Sequence, residues 1–157
     1  MNLELQSKHV TVVGIGRSGV AAARLLQARG ATPFVTDSGK DVRLGPYREE
    51  LDALGVPYEV GGHTDRALEG AKLVVLSPGV PPRIPLAQHA RAQGMPVIGE
   101  LELAWRFCRA KVLAVTGTNG KTTTTELLRA MVAACGHTVA LAGNNATPLS
   151  SVVIEDA

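Results

Sequence analysis

The sequence has few cysteines, no marked excess of either charge and no long hydrophobic run. Its two cysteines, Cys108 and Cys135, lie far apart and have no companion cysteine or histidine at a metal-binding spacing. This usage fits a reducing compartment and argues against a zinc site. Sixteen basic and fourteen acidic residues leave a net charge of +2. They form no block of like charges, so a nucleic-acid partner is not expected.

The sequence also shows no pattern typical of a membrane-spanning segment or a secretory signal. Nowhere do about 18 apolar residues follow one another. The start, Met1-Asn2-Leu3-Glu4-Leu5, has an early acid and lacks the basic beginning of a signal peptide. With a hydrophobic content of 45%, the chain is long enough for one good core or two small ones. We expect a cytoplasmic globular protein that is monomeric.

Short valine-rich runs alternate with helical patterns, and Gly, Pro, Asp or Ser marks nearly every junction, which is typical of parallel βαβ units. Gly30 and Gly55 are expected to end the first two helices. The pattern predicts an α/β fold, with a Rossmann-like domain at residues 1–96 followed by the start of a P-loop ATPase-type domain at 97–157. Strands are predicted at residues 9–14, 33–36, 56–60, 72–77, 96–98, 112–116 and 138–142.

A glycine-rich turn lies between the predicted strand at 112–116 and a predicted helix. It reads Gly117-Thr118-Asn119-Gly120-Lys121-Thr122-Thr123. Glycines let several backbone amides converge on anionic oxygens, and the first turn of a helix offers further unpaired amides. Lys121 supplies a positive charge for the outer phosphates, and the Thr122 hydroxyl can ligate Mg²⁺. The turn therefore predicts a site for ATP and Mg²⁺.

This turn departs from the strict Walker A pattern G-x-x-x-x-G-K-[ST]. Val115 stands where that pattern has its first glycine, and the glycine is displaced to Gly117. The other interpretation is a glycine-rich turn with an exposed lysine. Strand, glycines, lysine, threonines and helix all occur in the expected order, which favours the ATP site.

A second glycine cluster, Gly14-Ile15-Gly16-Arg17-Ser18-Gly19, follows the first predicted strand and matches G-x-G-x-x-G. This spacing alone is weak in a chain with 17 glycines. Its context is better, because Asp37 ends the second strand, where a Rossmann domain hydrogen-bonds a ribose. Three interpretations stay open: a dinucleotide site, tight helix–strand packing without a ligand, and a different nucleotide whose base or sugar meets Asp37.

The run from Ala114 to Thr123 resembles the ATP loop of the Mur ligases, the amide-forming enzymes of peptidoglycan precursor synthesis. Asn119 stands where the alanine-adding member usually has histidine. The glycine cluster and Asp37 resemble the D-glutamate-adding branch of this family. Three further motifs of that branch follow in the same order: Ser77-Pro78-Gly79-Val80, Gly99-Glu100-Leu101-Glu102-Leu103 and Gly143-Asn144. The resemblance covers essentially the whole chain.

The resemblance implies a uridine-nucleotide substrate in the first domain. Arg17 and Ser18 would approach the uridine diphosphate beside Gly14 and Gly16, and Asp37 and Ser38 would contact the uracil. Gly79 would line the same pocket, and Asn144 would reach the muramoyl part. Where the family often has arginine soon after the aspartate, this chain has Lys40. Lysine lacks the planar guanidinium of arginine, so stacking on the base is in question there.

The resemblance further implies that D-glutamate is joined to UDP-N-acetylmuramoyl-L-alanine through an acyl phosphate, with Lys121 and Thr122 as the catalytic residues of this segment. The family's acidic metal ligand, modified lysine and amino-acid-binding domain would lie beyond Ala157. We therefore expect these 157 residues alone to be inactive. Two alternatives remain open: a stand-alone uridine-nucleotide-binding module and an NAD-dependent oxidoreductase.

The sequence assigns no function to the histidines. All four are interpreted as structural or solvated, since they fall at predicted strand starts, turns or a polar helix face. They are His9, His63, His89 and His137.

Overall fold

The computed structural model describes residues 4–40, 44–143 and 147–155, without the side chain of residue 155. The strands are β1 (His9–Val13), β2 (Thr32–Asp37), β3 (Tyr58–Val60), β4 (Ala71–Leu76) and β5 (Val97–Gly99). The helices are α1 (Arg17–Ala28), α2 (Gly45–Ala53), α3 (Pro85–Ala92), α4 (Glu100–Trp105), α5 (Lys121–Ala134) and α6 (Leu149–Glu155), with a short 3₁₀ helix at Asp65–Ala67. The predicted α/β class is confirmed.

All five strands form one parallel sheet in the order β3-β2-β1-β4-β5. The chain builds outward from β1 through β2 to β3, and then crosses to the other side of β1 to form β4. At the central strand, Val12 lies opposite Val35 of β2 and Val75 of β4. In an open sheet of this kind a crevice lies between the carboxyl ends of the strands where the order reverses. Here that crevice lies between β1 and β4.

Apolar side chains fill a separate core on each face of the sheet. On one face, Val10 and Val12 of β1 pack in a cluster with Leu25 and Leu26 of α1. On the other face, Val13 joins Leu86, Ala87 and Ala90 of α3. Successive strand residues point to opposite faces, so a valine-rich strand can serve both cores. The central strands are therefore covered by helices on both sides.

Glycines end the first two helices as the sequence predicts. Gly30 follows α1 with a φ of 77°, and Gly55 follows α2 with a φ of 65°. Both values lie in the left-handed region, which glycine enters without a steric penalty from a Cβ atom.

Two predicted strands are wrong. The structure has no strand at residues 112–116 or 138–142, and the only pairing there is a single bridge between Ala142 and Thr147. Val112 is 42% exposed and Leu113 is 63% exposed. A parallel strand needs neighbours and covering helices, and two such strands alone do not bury enough apolar surface to persist.

The predicted helix after the ATP loop is present as α5, but it has no buried residue. Leu127 and Met131 on this helix are 61% and 58% exposed. The P-loop part of the predicted fold class is thus present as a turn and a helix without a sheet. Within the described ranges, no helix is both long and apolar enough to cross a membrane.

Helices α4 and α6 pack against α1. Leu149 and Val153 of α6 are buried in the same core cluster as Leu103 of α4. The carboxylate of Glu100, only 4% exposed, accepts a hydrogen bond of 2.9 Å from the backbone N–H of Ser150 in the first turn of α6. The division into domains between residues 96 and 97 stays a prediction. β5, which is a strand of the sheet, and α4 both follow that boundary.

Candidate functional site

The glycine cluster forms the turn from β1 into α1, and its three glycines have different surroundings. Gly14 has a φ of 104°, and a Cβ atom there would lie 2.9 Å from Val80 and 3.0 Å from Ser77. A Cβ atom on Gly19 would lie 2.0 Å from the carbonyl oxygen of Gly14. A Cβ atom on Gly16 would meet nothing within 4 Å. Packing explains Gly14 and Gly19, whereas the open space at Gly16 leaves room for a ligand to approach the backbone.

Asp37, the last residue of β2, holds this turn in place through hydrogen bonds. One carboxylate oxygen accepts a hydrogen bond of 2.6 Å from the backbone N–H of Ile15, and the other accepts one of 2.7 Å from Gly39. The Gly14 N–H donates to the carbonyl oxygen of Thr36 at 2.8 Å. Each carboxylate oxygen of Asp37 thus accepts a backbone hydrogen bond, and these two bonds stabilise the turn.

A cleft of about 480 Å³ opens at the crevice between β1 and β4. This volume is within the range of small-molecule sites. All predicted substrate-binding residues within the described part of the chain line it: Gly14, Gly16, Arg17, Ser18, Asp37, Ser38 and Gly79. Their contacts with a ligand stay predictions. Asn144 lies outside the described residues.

The amino end of α1 points its first backbone amides toward this cleft. Gly16 precedes the helix in an extended conformation, and the first helical hydrogen bond runs from the N–H of Val20 to the carbonyl of Gly16. The N–H groups of Arg17 and Ser18 therefore have no partner within the helix. The first turn also carries no acidic residue. Amides, helix dipole and the exposed Arg17 side chain together suit a phosphate group.

A polar cluster lies beside the cleft, where β2 and β3 end. The buried Thr36 hydroxyl lies 2.8 Å from a carboxylate oxygen of Glu59 and 2.8 Å from Nδ1 of His63. Thr64 donates to Glu59 through its backbone N–H at 3.1 Å and its hydroxyl at 2.6 Å. Burial raises the pKa of Glu59, but the hydrogen bonds from Thr64 and Thr36 and the charge of His63 outweigh it and leave that pKa below its ordinary value of 4.5.

We expect Glu59→Gln to lower the free energy of unfolding at pH 7 but to have a smaller effect at pH 3. A carboxyl group with a lowered folded-state pKa stabilises the fold above its unfolded pKa, and this contribution is lost as the pH falls through the folded pKa. Urea unfolding at both pH values measures the two differences. The exposed Glu69→Gln variant is the control. An equal difference between wild type and Glu59→Gln at both pH values would contradict the assigned hydrogen bonds.

The predicted ATP loop is a solvent-exposed turn. Gly117 and Gly120 have φ angles of 153° and 76°, so both adopt backbone conformations that favour glycine. Gly120 is the residue preceding α5, and Lys121 is the first residue of that helix. The Lys121 ammonium group folds back over the turn and donates to the carbonyl oxygens of Gly117 and Thr118, the latter at 3.3 Å. The ammonium group and the helix amides thus surround the same bend.

Thr122 is the predicted Mg²⁺ ligand, and this role stays a prediction. Thr125, one turn later, donates its hydroxyl to the carbonyl of Lys121 at 2.7 Å. The Thr122 hydroxyl has no such bond to any described residue and stands at the amino end of α5. In the described ranges, no group of three or more His, Cys, Asp and Glu side chains could hold a metal by itself.

Comparison with known families agrees with both halves of this arrangement. The family model described as the Mur ligase MurD-like N-terminal domain matches residues 8–99, and the Mur ligase middle domain matches residues 115–154. The chain belongs to the Mur ligase family. The first match contains the cleft at β1 and β4, and the second contains the turn at Gly117 to Thr123.

Two curated relatives of this Mur ligase chain share one name. The UDP-N-acetylmuramoylalanine--D-glutamate ligase of Geotalea uraniireducens is 48% identical over 151 residues, which cover 96% of this chain and 33% of that protein. The protein of the same name from Frankia casuarinae is 52% identical over 145 residues, or 92% of this chain and 31% of its own length. The chain thus spans about a third of the length of the curated relatives it matches.

Solved Mur ligase structures have the same fold. A murein peptide ligase from Psychrobacter arcticus is 25% identical with a TM-score of 0.58, covering 83% of this chain and 27% of its own. A pseudomurein peptide ligase type C from Methanothermus fervidus is 25% identical with a TM-score of 0.57, covering 94% of this chain and 31% of its own.

The structure also places in the cleft two residues to which the sequence assigned no contact with a ligand. His63, interpreted above as structural or solvated, lines the cleft together with Ser77, whose hydroxyl donates to the Gly14 carbonyl at 3.2 Å. Nothing in the local sequence distinguishes His63, because its position depends on pairing between β2 and β3. The stem of Lys40 lies against Gly61, where a Cβ atom would be 3.1 Å from it. Lys40 therefore borders the loop that carries His63.

Proposed function

We propose that this chain is the substrate-binding and ATP-binding part of a ligase that adds D-glutamate to UDP-N-acetylmuramoyl-L-alanine. The observation that carries the proposal is the convergence of the glycine turn, the amino end of α1 and the end of β2 on one cleft. Relatives that are 41% to 52% identical are named for this reaction. The uridine nucleotide would place its phosphates at α1 and its base near Asp37 and Ser38.

The chemistry that fits this assignment proceeds through an acyl phosphate. The alanine carboxylate attacks the γ-phosphorus of ATP, and the bond to the ADP oxygen breaks. The amine of D-glutamate then attacks the acyl carbon, inorganic phosphate leaves, and the amine loses a proton. The first step brings two anions together, so its barrier depends on how well the site offsets negative charge.

In this chain, Lys121 and the amides of the turn would offset that charge. The Lys121 ammonium group already lies over the turn, and it would exchange the carbonyls of Gly117 and Thr118 for phosphate oxygens. Thr122 would contribute one ligand to Mg²⁺, which supplies further positive charge when bound. The residues of the β1–β4 cleft would hold the uridine end of the other substrate.

Calorimetric titration with UDP tests the substrate cleft, and Gly16→Ala is the informative variant. Its new Cβ atom meets no protein atom within 4 Å, and the φ of −176° suits any residue. We therefore expect an unchanged melting temperature and a loss of UDP affinity of about tenfold or more, because the methyl group occupies the place of the diphosphate. A variant that binds UDP as tightly as wild type would contradict the proposed phosphate position.

The same titration separates the alternatives. Binding of UDP without any binding of ATP by a longer chain that completes the ATP half would favour a stand-alone uridine-nucleotide module. Binding of NAD in place of UDP would favour an oxidoreductase. A cytoplasmic location, a monomeric state and the inactivity of these 157 residues alone stay predictions.

A further inference from the structure

His63 lies at the edge of the cleft where the base of a nucleotide is expected. It follows β3 in a loop that pairs with the loop after β2. The Gly61 N–H donates to the carbonyl of Gly39 at 3.0 Å, and the Gly62 N–H donates to the carbonyl of Asp37 at 3.3 Å. These backbone bonds hold His63 beside Asp37, and both residues line the cleft.

The hydrogen bonds of Thr36 define which nitrogen of His63 carries a proton. Glu59, whose pKa is lowered, is ionised at neutral pH and can only accept. Thr36 has a single hydroxyl proton, and it donates this proton to Glu59 at 2.8 Å. Its oxygen must then accept from Nδ1 of His63, which lies 2.8 Å away. Neutral His63 therefore carries its proton on Nδ1 and presents an unprotonated Nε2.

His63 lines the cleft, and its Nε2 is an acceptor that no described residue uses. Both carboxylate oxygens of Asp37 already accept backbone N–H groups. By contrast, Nε2 of His63 has no hydrogen bond to any residue in the described ranges. A neutral imidazole nitrogen is a good acceptor for an N–H group in the plane of its ring.

We infer that His63 is a specificity residue, whose Nε2 accepts the imide N–H of uracil and so selects uridine over cytidine nucleotides. Uracil has a donor at N3, whereas cytosine has an acceptor at the same position. An acceptor that faces N3 attracts the first base and repels the second. A site built to bond a polar group discriminates well against a base that leaves its own atoms unpaired. The inference rests on the proposed uridine-nucleotide function.

The test compares UDP and CDP binding to the 157-residue chain, as wild type and as His63→Asn. In the variant, the asparagine amide nitrogen can replace Nδ1 and donate to Thr36, but no atom replaces Nε2. We expect UDP affinity to fall about tenfold while CDP affinity changes less than about twofold, so the preference for UDP is lost. His89→Asn is the matched control, because His89 contacts Gln93 and does not line this cleft.

The outcomes separate the inference from the function on which it rests. If wild type binds UDP and His63→Asn keeps the same preference over CDP, the inference is wrong while the proposed function stands. If wild type does not bind UDP, the proposed function is wrong, and the inference about His63 is wrong with it.

Nuclear magnetic resonance of the wild-type imidazole ¹⁵N nuclei tests the same assignment without a substitution. We expect Nδ1 to be protonated, and we expect the Nε2 resonance to shift with UDP but not with CDP. A proton on Nε2 and none on Nδ1 in the free protein would overturn the inference.

Discussion

Replacement of Lys121 by alanine should lower kcat roughly 10²- to 10³-fold when this segment is part of a full-length ligase. The ammonium group lies over the bend formed by Gly117 and Gly120, at the amino end of α5. The negative charge of a γ-phosphate there would have to be offset during transfer, and no neutral side chain can do so. Steady-state rates of ADP release, with both substrates saturating, measure the effect.

The structure also provides a control for this variant. Lys121 is exposed, so its truncation removes no core packing, and binding of the uridine substrate should stay unchanged. Lys111→Ala removes another exposed lysine upstream of the turn and should keep normal turnover. Equal turnover in Lys121→Ala and Lys111→Ala would refute the assigned role of Lys121.

Gly19→Ala should destabilise the fold by about 3 kcal/mol, which lowers the melting temperature by roughly 6 to 12 °C. Alanine normally stabilises a helix interior relative to glycine, by about 1 kcal/mol. Here the added Cβ atom would lie 2.0 Å from the Gly14 carbonyl oxygen, so α1 must move away from β1. The clash therefore outweighs helix propensity. Thermal unfolding followed by circular dichroism measures the difference.

Gly45→Ala is the matched control for helix propensity. Gly45 is the first residue of α2, and a Cβ atom there meets nothing within 4 Å. That variant should be as stable as wild type or slightly more stable. If Gly19→Ala melts at the same temperature as Gly45→Ala, the close contact between α1 and β1 does not limit the choice of residue at position 19.

The first half of the fold could be predicted because local signals and tertiary structure agree there. Valine-rich runs became β1, β2 and β4, and Gly30 and Gly55 ended helices where expected. The strand predicted at residues 56–60 is shorter, because Val56 packs into the core before pairing begins at Tyr58. The predicted and observed ends of a strand differ in this way when the buried side chains and the hydrogen-bonded residues are not the same residues.

The second half shows where local pattern is insufficient. Residues 112–116 have the apolar composition of a buried strand, yet Leu113 is 63% exposed. Composition predicts that a segment can join a parallel sheet, but only neighbouring strands can bury it. The turn and α5 depend on local glycine conformation and helix propensity, so they form where the sequence predicts them.

The candidate site could be predicted in part for a similar reason. The glycine turn and Asp37 belong to a local pattern with a known geometry, and the structure brings them to one cleft. Asp37 also binds the amides of Ile15 and Gly39, a role that depends on how two loops meet. His63 lies beyond the reach of local pattern altogether, since it approaches the cleft only because β3 pairs with β2.

Helices α4 and α6 both pack on α1, and this packing constrains the segment of chain that connects α4 to α6. This connecting segment includes the predicted ATP loop, and both of its ends lie at the surface of α1. A segment pinned at both ends samples fewer arrangements than a free tail. Ordering it around a triphosphate would therefore cost less conformational entropy. The buried carboxylate of Glu100, the first residue of α4, holds the start of α6 by accepting a hydrogen bond from the backbone N–H of Ser150.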